Sequence, residues 1–402
     1  MADSKEGPDW TNLAKNVVVL IAEKLVPPLS QFVMFGLVCK DWHTTIVDDH
    51  LLRRQVLKGC HRQVPLLMIP TKDKSPERRC LYNIIRKKTY HTELSVPYSR
   101  RCCGSSYGWI ATVDHTSAVK LINPFTNGII DLPPIDTFFV NFITEEDEYE
   151  FYVKKVILSD DHYVNPDNFM ILGLFGGLSS IVIIRPGEIT WTYTRTDLET
   201  IAKADAIFFK GKAYVVDWRL GIISVDVTNT DSNSFEEKMV IPPKHYEEAG
   251  IALKYIVESS DGEILIVQRF YTTSDAGDES LHHWTVNFKV FKVERHATDE
   301  ARLVEINNIG DEALFLGDNS SISVVASRFP GCRSNCIYFT DDIILFVHPY
   351  LPSGPIDMGI FSLETGCFDR YYDHHPSHLD MPPPFFILPT LSENRDSPYL
   401  HL

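Results

Sequence analysis

"KGKAYVVD", residues 210–217, places a Lys-Gly pair before a short apolar run that ends in Asp. Glycine readily adopts positive φ, so a pair of this kind is typical of the tight turn that precedes a strand. Other stretches repeat this order of turn and apolar strand: "YGWIATVD" at 107–114, "SDGEILIV" at 260–267 and "SNCIYFTD" at 334–341. The chain therefore contains a weak internal repeat.

Each repeat is followed by a second strand and a polar turn: "VKLINPFTNG", "GIISVDVTNT", "NFKVFKVERH" and "MGIFSLETG". Residues 62–390 hold about two dozen short apolar or alternating runs and lack the helices that parallel strands need, which favours antiparallel sheets. Strands joined by recurring tight turns are typical of β-propeller blades. The pattern predicts about six four-stranded antiparallel blades, with seven blades or a pair of β-sandwiches as alternatives.

The N-terminal region follows a helical period instead. One helical face collects five apolar residues: Leu13, Val17, Leu20, Ile21 and Leu25. "VPP" at 26–28 ends this helix, because proline removes a donor and restricts the residue before it. Two further apolar sets follow in 29–35 and 37–46. Three short helices within 9–50 bury little surface, so we expect an apolar face that a partner protein covers.

The 402-residue chain has a formal net charge of −16, although residues 61–101 carry ten basic and three acidic side chains. An acidic body repels phosphate backbones, so we expect no nucleic-acid binding; the basic segment is either a solvated face or a contact for an acidic partner. No apolar run approaches the ~20 residues of a bilayer span. "MADSKEGPDW" lacks the apolar core of a secretory signal, so we expect an intracellular protein without a membrane segment.

Candidate chemical motifs are weak. The eight cysteines form no Cys-x-x-Cys pair, which favours free thiols over disulfides or structural zinc. "DHHPSHLD" at 373–380 groups three His with two Asp, but its proline breaks any helix that would align them around a metal. "GLFGG" at 173–177 lacks the Lys-Ser/Thr of a P-loop, and no Gly-x-Ser-x-Gly elbow occurs. Cys39 is read as a packing residue, because His43 projects to another side of the helix. The sequence predicts no catalytic residues, no cofactor and no metal.

Aromatic residues near turns are candidates for a contact with a partner at the rim of a propeller, because aromatic side chains dominate binding hot spots. These residues are Tyr107, Trp109, Trp218, Trp284 and Tyr350. Most of them should be core, with one or two on the rim. Asp341 and Asp342 are expected to accept hydrogen bonds from turn N–H groups.

The segment "DWTNLAKNVVVLIAEKLVPPLSQFVMFGLVCKDWHTTI", residues 9–46, resembles the F-box, which runs from a Leu-Pro start to a Val-Cys-Lys-x-Trp end. The matching positions are Leu13, Val17, Ile21, Leu25, Phe32, Val38, Cys39, Lys40 and Trp42. Ala14 replaces the usual proline, which weakens the first turn and leaves the interface in place. The resemblance implies docking on a Skp-type adaptor through Leu13, Val17, Ile21, Leu25, Phe32, Val38 and Trp42.

The remainder resembles the KIB-type β-propeller of plant F-box proteins. The segments that carry this resemblance are "GSSYGWIATVD" at 104–114, "LINPFTNGIIDLPP" at 121–134, "EALFLGDNSSISVVASRFPGCRSNCIYFTDD" at 312–342 and "GIFSLETG" at 359–366. We therefore expect a mainly β chain with an N-terminal three-helix F-box. Its expected divisions are a disordered 1–8, the F-box at 9–50, a linker at 51–64, the propeller at 65–390 and a flexible tail at 391–402.

Together the two resemblances imply a non-catalytic, substrate-recruiting subunit of an SCF ubiquitin ligase. The F-box would bind the Skp-type adaptor, and through it the cullin and RING subunits, while the propeller holds an unknown target protein. The family context implies the nucleus and cytoplasm of a plant cell. Two alternatives stay open: a non-SCF propeller scaffold with a degenerate F-box, and an enzyme with an active site on the propeller.

Overall fold

The computed structural model describes residues 13–25, 39, 41–42, 45, 64–71, 78–124, 128–135, 153–160, 165, 167–175, 180–194, 201–227, 235–245, 252–274, 282–295, 301–342, 357–372 and 382–388. Within these residues the chain forms an α-helix, Lys15–Leu25 (α1), a short 3₁₀ helix, Ala326–Arg328, and a series of β-strands arranged in six sheets.

Twenty-five strands follow one another along the described part of the chain. The first eleven are β1 (Leu66–Pro70), β2 (Arg79–Asn83), β3 (Lys88–Leu94), β4 (Arg101–Ser106), β5 (Trp109–Val113), β6 (Val119–Asn123), β7 (Gly128–Asp131), β8 (Val153–Leu158), β9 (Ile171–Phe175), β10 (Ser180–Ile184) and β11 (Thr192–Tyr193). The next eight are β12 (Lys203–Phe209), β13 (Lys212–Asp217), β14 (Ile222–Asp226), β15 (Glu237–Ile241), β16 (Ala252–Glu258), β17 (Ile264–Ser274), β18 (His282–Arg295) and β19 (Ala301–Ile306). The last six are β20 (Glu312–Leu316), β21 (Ile322–Val325), β22 (Cys336–Phe339), β23 (Gly359–Ser362), β24 (Phe368–Asp369) and β25 (Phe385–Ile387).

The sheets are the blades of a β-propeller. Blade 1 has the order β25-β1-β2-β3, blades 2 to 5 contain β4–β7, β8–β11, β12–β15 and β16–β19, and blade 6 has the order β21-β20-β22-β23-β24. The first strands of these blades contact one another in the order β25, β4, β8, β12, β16 and β21, and they surround a central axis. This architecture confirms the mainly β fold and the predicted six blades. The seven-bladed and β-sandwich alternatives are wrong.

Apolar side chains fill the interfaces between successive blades. Trp109 and Phe175, both almost fully buried, belong to the cluster between blades 2 and 3. Between blades 6 and 1, the rings of Phe315 and Phe386 meet edge to face with centroids 5.3 Å apart. Aromatic rings combine a large buried area with a preferred edge-to-face geometry, so these contacts hold neighbouring blades together.

The residue pairs that precede the repeated strands adopt the backbone conformation of tight hairpin turns. Tyr107 and Gly108 join β4 to β5 with φ of 54° and 78°, and Lys210 and Gly211 join β12 to β13 with φ of 49° and 77°. Two successive residues with positive φ make the two-residue hairpin turn whose twist matches that of the flanking strands. The glycine supplies one of these two positions at little steric cost.

The ring is closed by strands from distant parts of the chain. β25 pairs with β1 in antiparallel register, with Leu67 opposite Phe386. Residues from 66 to 94 supply the other three strands of this blade. The two ends of the propeller segment are thus joined by backbone hydrogen bonds, and β25 covers the inner edge of β1.

Blade 6 departs from the repeat. β21 folds back to the inner side of β20, and β20 then pairs with β22 in parallel register. In the sequence repeat, the strand after the tight turn is β5, β13, β17 or β22. This strand is second from the axis in blades 2, 4 and 5, but third in blade 6. This inserted strand makes blade 6 five-stranded.

The N-terminal region is described only in part. α1 begins just after Ala14, whose carbonyl oxygen accepts hydrogen bonds from the N–H groups of Val17 and Val18. Residues 41, 42 and 45 are also helical, but the rest of the predicted second and third helices lies outside the described residues. The three-helix arrangement and the proposed domain boundaries therefore stay predictions. No helix in the described ranges is long and apolar enough to cross a membrane.

Candidate functional site

The propeller axis carries two differently built ends. The inner strands β8, β12 and β16 begin beside a small cavity of about 10 Å³ and end at a funnel of about 700 Å³. All six blades contribute to the funnel, which includes the turn after β4, the whole of β21 and Leu388 beyond β25. The end with the small cavity is called the network end below, and the other is called the funnel end.

A buried guanidinium organises one part of the network end. Arg269 on β17 is 0% exposed and donates to Asp342 at 2.7 Å and to Asp357 at 2.9 Å. The Tyr255 hydroxyl donates to the same Asp342 carboxylate at 2.9 Å. Burial lowers the pKa of Arg269, but Tyr255 and the carboxylates outweigh it and raise that pKa, so the guanidinium stays charged. These bonds tie blade 5 to the segment that joins β22 to β23.

A second part of the network end links blades across the axis. Lys155 on β8 lies 3.1 Å from the Asp205 carboxylate on β12 and donates to the carbonyl oxygen of Asn319 at 2.7 Å. Arg101 on β4 donates to Asp318 at 2.8 Å. Removal of one member of a buried ion pair leaves an uncompensated charge, which is costly. These side chains are therefore held in place at the axis by their partners.

Gly317 and Asp318 of "GDNSS" and Asp342 of "FTDD" line the small cavity at the network end, whereas Ser320 and Ser321 reach the funnel. Asp341 accepts a hydrogen bond from the backbone N–H of Asp357 at 3.1 Å, as expected, but it also lies 2.9 Å from His283 Nε2. Asp342 instead binds the side chains of Arg269 and Tyr255. Within the described residues a turn N–H group binds Asp341 but not Asp342, whose partners are a buried cation and a hydroxyl.

Gly317 shows how closely the strands approach at this end. Its φ is +156°, and a Cβ atom there would lie 2.0 Å from the Thr340 hydroxyl oxygen. Any larger residue would push β20 away from the segment that carries Asp341 and Asp342.

The funnel end has an acidic wall. In blade 5, Glu258 ends β16 and Asp261 lies in the turn after it; in blade 6, Asp311 precedes β20 and Glu312 begins it. Glu312 is buried and accepts hydrogen bonds from the N–H and hydroxyl of Ser260 at 2.7 and 2.5 Å, and it also binds Ser323. Glu312 therefore joins the two blades.

The two carboxylates of blade 5 are available. Glu258 and Asp261 are exposed, and neither side chain forms a hydrogen bond within the described part of the chain. Burial raises the pKa of Glu258, and the nearby Lys210 opposes this effect. Among the described residues that line the funnel, Arg328 is the basic one, and it follows Ser327, which binds Asp311.

The remaining funnel wall is neutral. Tyr107 and Phe208, both half-buried, lie at the ends of the inner hairpins of blades 2 and 4. Serine hydroxyls cover much of the floor: Ser106 lies 3.4 Å from Ser320, and Ser321 donates to Asp205 at 3.0 Å. The funnel thus combines the carboxylates of blades 5 and 6 with aromatic side chains and hydroxyls.

The predicted adaptor-binding residues fall into three groups. Val17 and Ile21 are half-buried on α1, as is Leu13 two residues before it, whereas Trp42 is buried with its backbone N–H 3.5 Å from Cys39 Sγ. Leu25 ends α1. Phe32 and Val38 lie outside the described residues.

The aromatic candidates differ in exposure, and only one of the four that the structure describes is buried. Trp109 is buried, Trp218 and Tyr107 are half-buried, and Trp284 is 46% exposed on β18. Tyr350 and the histidines of 373–380 lie outside the described residues. In the part of the chain that the structure describes, no cluster of His, Cys, Asp or Glu could hold a metal, and the seven described cysteines are free thiols.

The funnel carboxylates were not predicted from the sequence. Asp261 stands in the quoted repeat "SDGEILIV", where it is a typical turn residue and gives no other signal. Glu312 also begins a quoted segment, but its contact with Ser260 depends on the pairing of two blades.

Comparison with known proteins agrees with this architecture. Residues 81–362 match the family model described as the KIB1-4 beta-propeller. F-box protein At2g26160 of Arabidopsis thaliana is 23% identical over 84% of this chain and 97% of its own length. F-box protein At2g17036 of the same plant is 23% identical over 89% of both chains. Putative F-box protein At1g65770, also from Arabidopsis thaliana, reaches 31% identity over 27% of this chain and 32% of its own.

Proposed function

Because this chain belongs to the KIB1-4 β-propeller family and resembles plant F-box proteins over most of its length, we propose that it is the substrate-recognition subunit of an SCF E3 ubiquitin ligase. In this proposal α1 and the segment that follows dock on a Skp-type adaptor, which links the chain to cullin and RING subunits. The propeller recruits a target protein for ubiquitination.

The exposed apolar face of α1 carries the docking part of the proposal. Val18 and Ala22 are buried within the chain, but Leu20 is 57% exposed, and Leu13, Val17 and Ile21 beside it are half-buried. An apolar stripe that its own chain leaves partly uncovered favours a protein partner. These positions include three of the residues that match the F-box pattern.

The propeller's part in the reaction is proximity. Holding a target lysine near a ubiquitin-loaded enzyme raises its effective concentration without any bond chemistry by this chain. We place this assembly in the nucleus and cytoplasm, where a soluble target and the ligase subunits would meet.

The test is capture of a purified Skp-type adaptor by the full-length chain. The double variant Leu13→Asp/Ile21→Asp should lose capture, because two carboxylates cannot be buried unpaired in an apolar interface. The control Lys15→Asp/Asn16→Asp changes exposed positions of the same helix and should bind like the wild type. Thermal unfolding of each variant checks that the propeller is intact.

The outcomes separate two functions. Loss of capture in the first variant alone supports the docking face. If the wild type captures no adaptor, the chain is a non-SCF interaction scaffold with a degenerate F-box, in line with Ala14 at the position of the usual proline. Equal capture by all three proteins would place the adaptor contact elsewhere.

A further inference from the structure

We propose that the funnel end binds an extended, basic segment of the target protein, with a Lys or Arg side chain directed at Glu258 and Asp261. The proposal rests on the proposed function for the nature of the occupant, a target protein. It adds which end of the propeller is used and which chemistry is recognised.

The size and position of the funnel fit a peptide rather than a single ion. Its volume of about 700 Å³ lies within the range of small-molecule and peptide sites. All six blades line it, so an occupant would contact side chains that the ring holds in fixed places. The small cavity at the network end, about 10 Å³, has room for no such ligand.

The charge of the funnel selects the occupant. Four carboxylates and one guanidinium line the described wall: Glu258, Asp261, Asp311, Glu312 and Arg328. A phosphorylated or acidic peptide would be repelled, whereas a cationic side chain would be attracted.

Two of the four carboxylates have no structural task. Asp311 binds the N–H and hydroxyl of Ser327, and Glu312 holds Ser260 and Ser323. Glu258 and Asp261 make no hydrogen bond among the described residues. They lie three residues apart across one hairpin turn and both face the funnel, so a single cation can approach both.

The neutral part of the funnel wall suits the rest of a basic side chain. Lys and Arg carry an apolar stem below the charged head. Phe208 and Tyr107 offer aromatic faces to that stem, and serine hydroxyls such as Ser106 and Ser320 can exchange hydrogen bonds with an extended backbone. The carboxylates attract the basic peptide, and the aromatic and serine side chains add contact area with it.

The test measures binding of fluorescein-labelled twelve-residue peptides to the full-length chain by anisotropy. Four peptides share a Gly-Ser frame and carry three Lys, three Arg, three Glu or three phosphoserines. We expect the Lys and Arg peptides to bind and the two acidic peptides not to bind. Affinity should fall as salt rises, because exposed charge pairs are screened.

The variant Glu258→Gln/Asp261→Asn should weaken binding of the Lys and Arg peptides by about five- to tenfold, as expected for two exposed charge pairs. The matched control Asp131→Asn/Glu305→Gln removes the same charge from the outer strands β7 and β19. It should bind like the wild type, which separates a site from general attraction to an acidic protein.

The proposal is overturned if no basic peptide binds at 1 mM, if the phosphoserine peptide binds as well as the Lys peptide, or if the two double variants lose affinity equally. Adaptor capture by Glu258→Gln/Asp261→Asn is measured in parallel. If this variant captures the adaptor and binds the basic peptides as the wild type does, the funnel is not the peptide site, and the ligase assignment is unaffected. If the wild type captures no adaptor, the proposed role in a ubiquitin ligase is rejected, and peptide binding by the funnel is judged separately.

Discussion

The network end and the funnel end of the central channel carry the same types of charged side chain and use them differently. Arg269 is 0% exposed and lies between two carboxylates, and Lys155 is held by Asp205. At the funnel end, Glu258 and Asp261 are exposed and without a hydrogen bond in the described residues. Paired, buried charges fix the blades, whereas the exposed carboxylates at the other end, which feel the charges of Lys210 and Lys292, are accessible to a ligand.

The largest effect should come from breaking the network at its centre. Arg269→Met would leave Asp342 and Asp357 buried without a cation, and we expect a loss of about 3–5 kcal/mol in the free energy of unfolding. Urea denaturation measures this loss. Arg302→Met, which breaks the exposed Arg302–Glu294 pair, is the control and should cost at most about 1 kcal/mol. If both variants lose the same free energy of unfolding, the buried charges at the network end are no more important for stability than an exposed pair.

A close approach at the network end should give the next largest effect. Gly317→Ala adds a Cβ atom 2.0 Å from Thr340 Oγ1 and should destabilise the chain by about 1–3 kcal/mol. Gly366 also has positive φ, +68°, but nothing lies within 4 Å of its Cβ position, so Gly366→Ala isolates the conformational cost. The additional change Thr340→Ala should recover part of the loss. No recovery would show that crowding by the Thr340 hydroxyl is not the cause.

The His283–Asp341 pair should make stability depend on pH to a smaller extent. Burial lowers the pKa of His283, but the hydrogen bond and charge of Asp341 outweigh it and raise the pKa above its ordinary value. The stabilisation is therefore fully present below the unfolded pKa of about 6.5 and is lost as pH rises through the folded pKa.

The measurement is the difference in unfolding free energy between the wild type and His283→Gln. This difference should be larger at pH 6 than at pH 8.5. A difference that grows with pH would mean that the pair does not hold a protonated histidine.

The smallest effect on stability should come from the funnel. Glu258→Gln/Asp261→Asn should unfold within about 0.5 kcal/mol of the wild type, because these side chains have no hydrogen bonds among the described residues to lose. Thermal and urea unfolding both test this. A loss of 2 kcal/mol or more would show that the funnel acids are structural, like those at the network end.

The blades were largely predictable from the sequence because their signals are local. A pair such as Lys210–Gly211 sets a hairpin turn, and the apolar run after it becomes β13. The same signal could not predict blade 6, since the inward fold of β21 depends on contacts with β16 of the neighbouring blade.

The channel could not be predicted, because its contacts are long-range. Arg269 and Asp342 are 73 residues apart, and Lys155 and Asn319 are 164 apart. Single residues of these types are common, and no spacing in the sequence marks them as partners. The segment around Asp341 and Asp342 was recognised by its resemblance to a family, and the structure gives the physical reason for that pattern.

The pairing of β25 with β1 has a consequence for how the protein is made. A ribosome must add residues 385–387 before the strand that emerged more than 300 residues earlier, β1, gains its second neighbour. Until then β1 presents an open edge, the kind of surface on which unfinished chains aggregate. Premature stop codons anywhere before this point should therefore yield insoluble products that quality control removes, even when five complete blades have been translated.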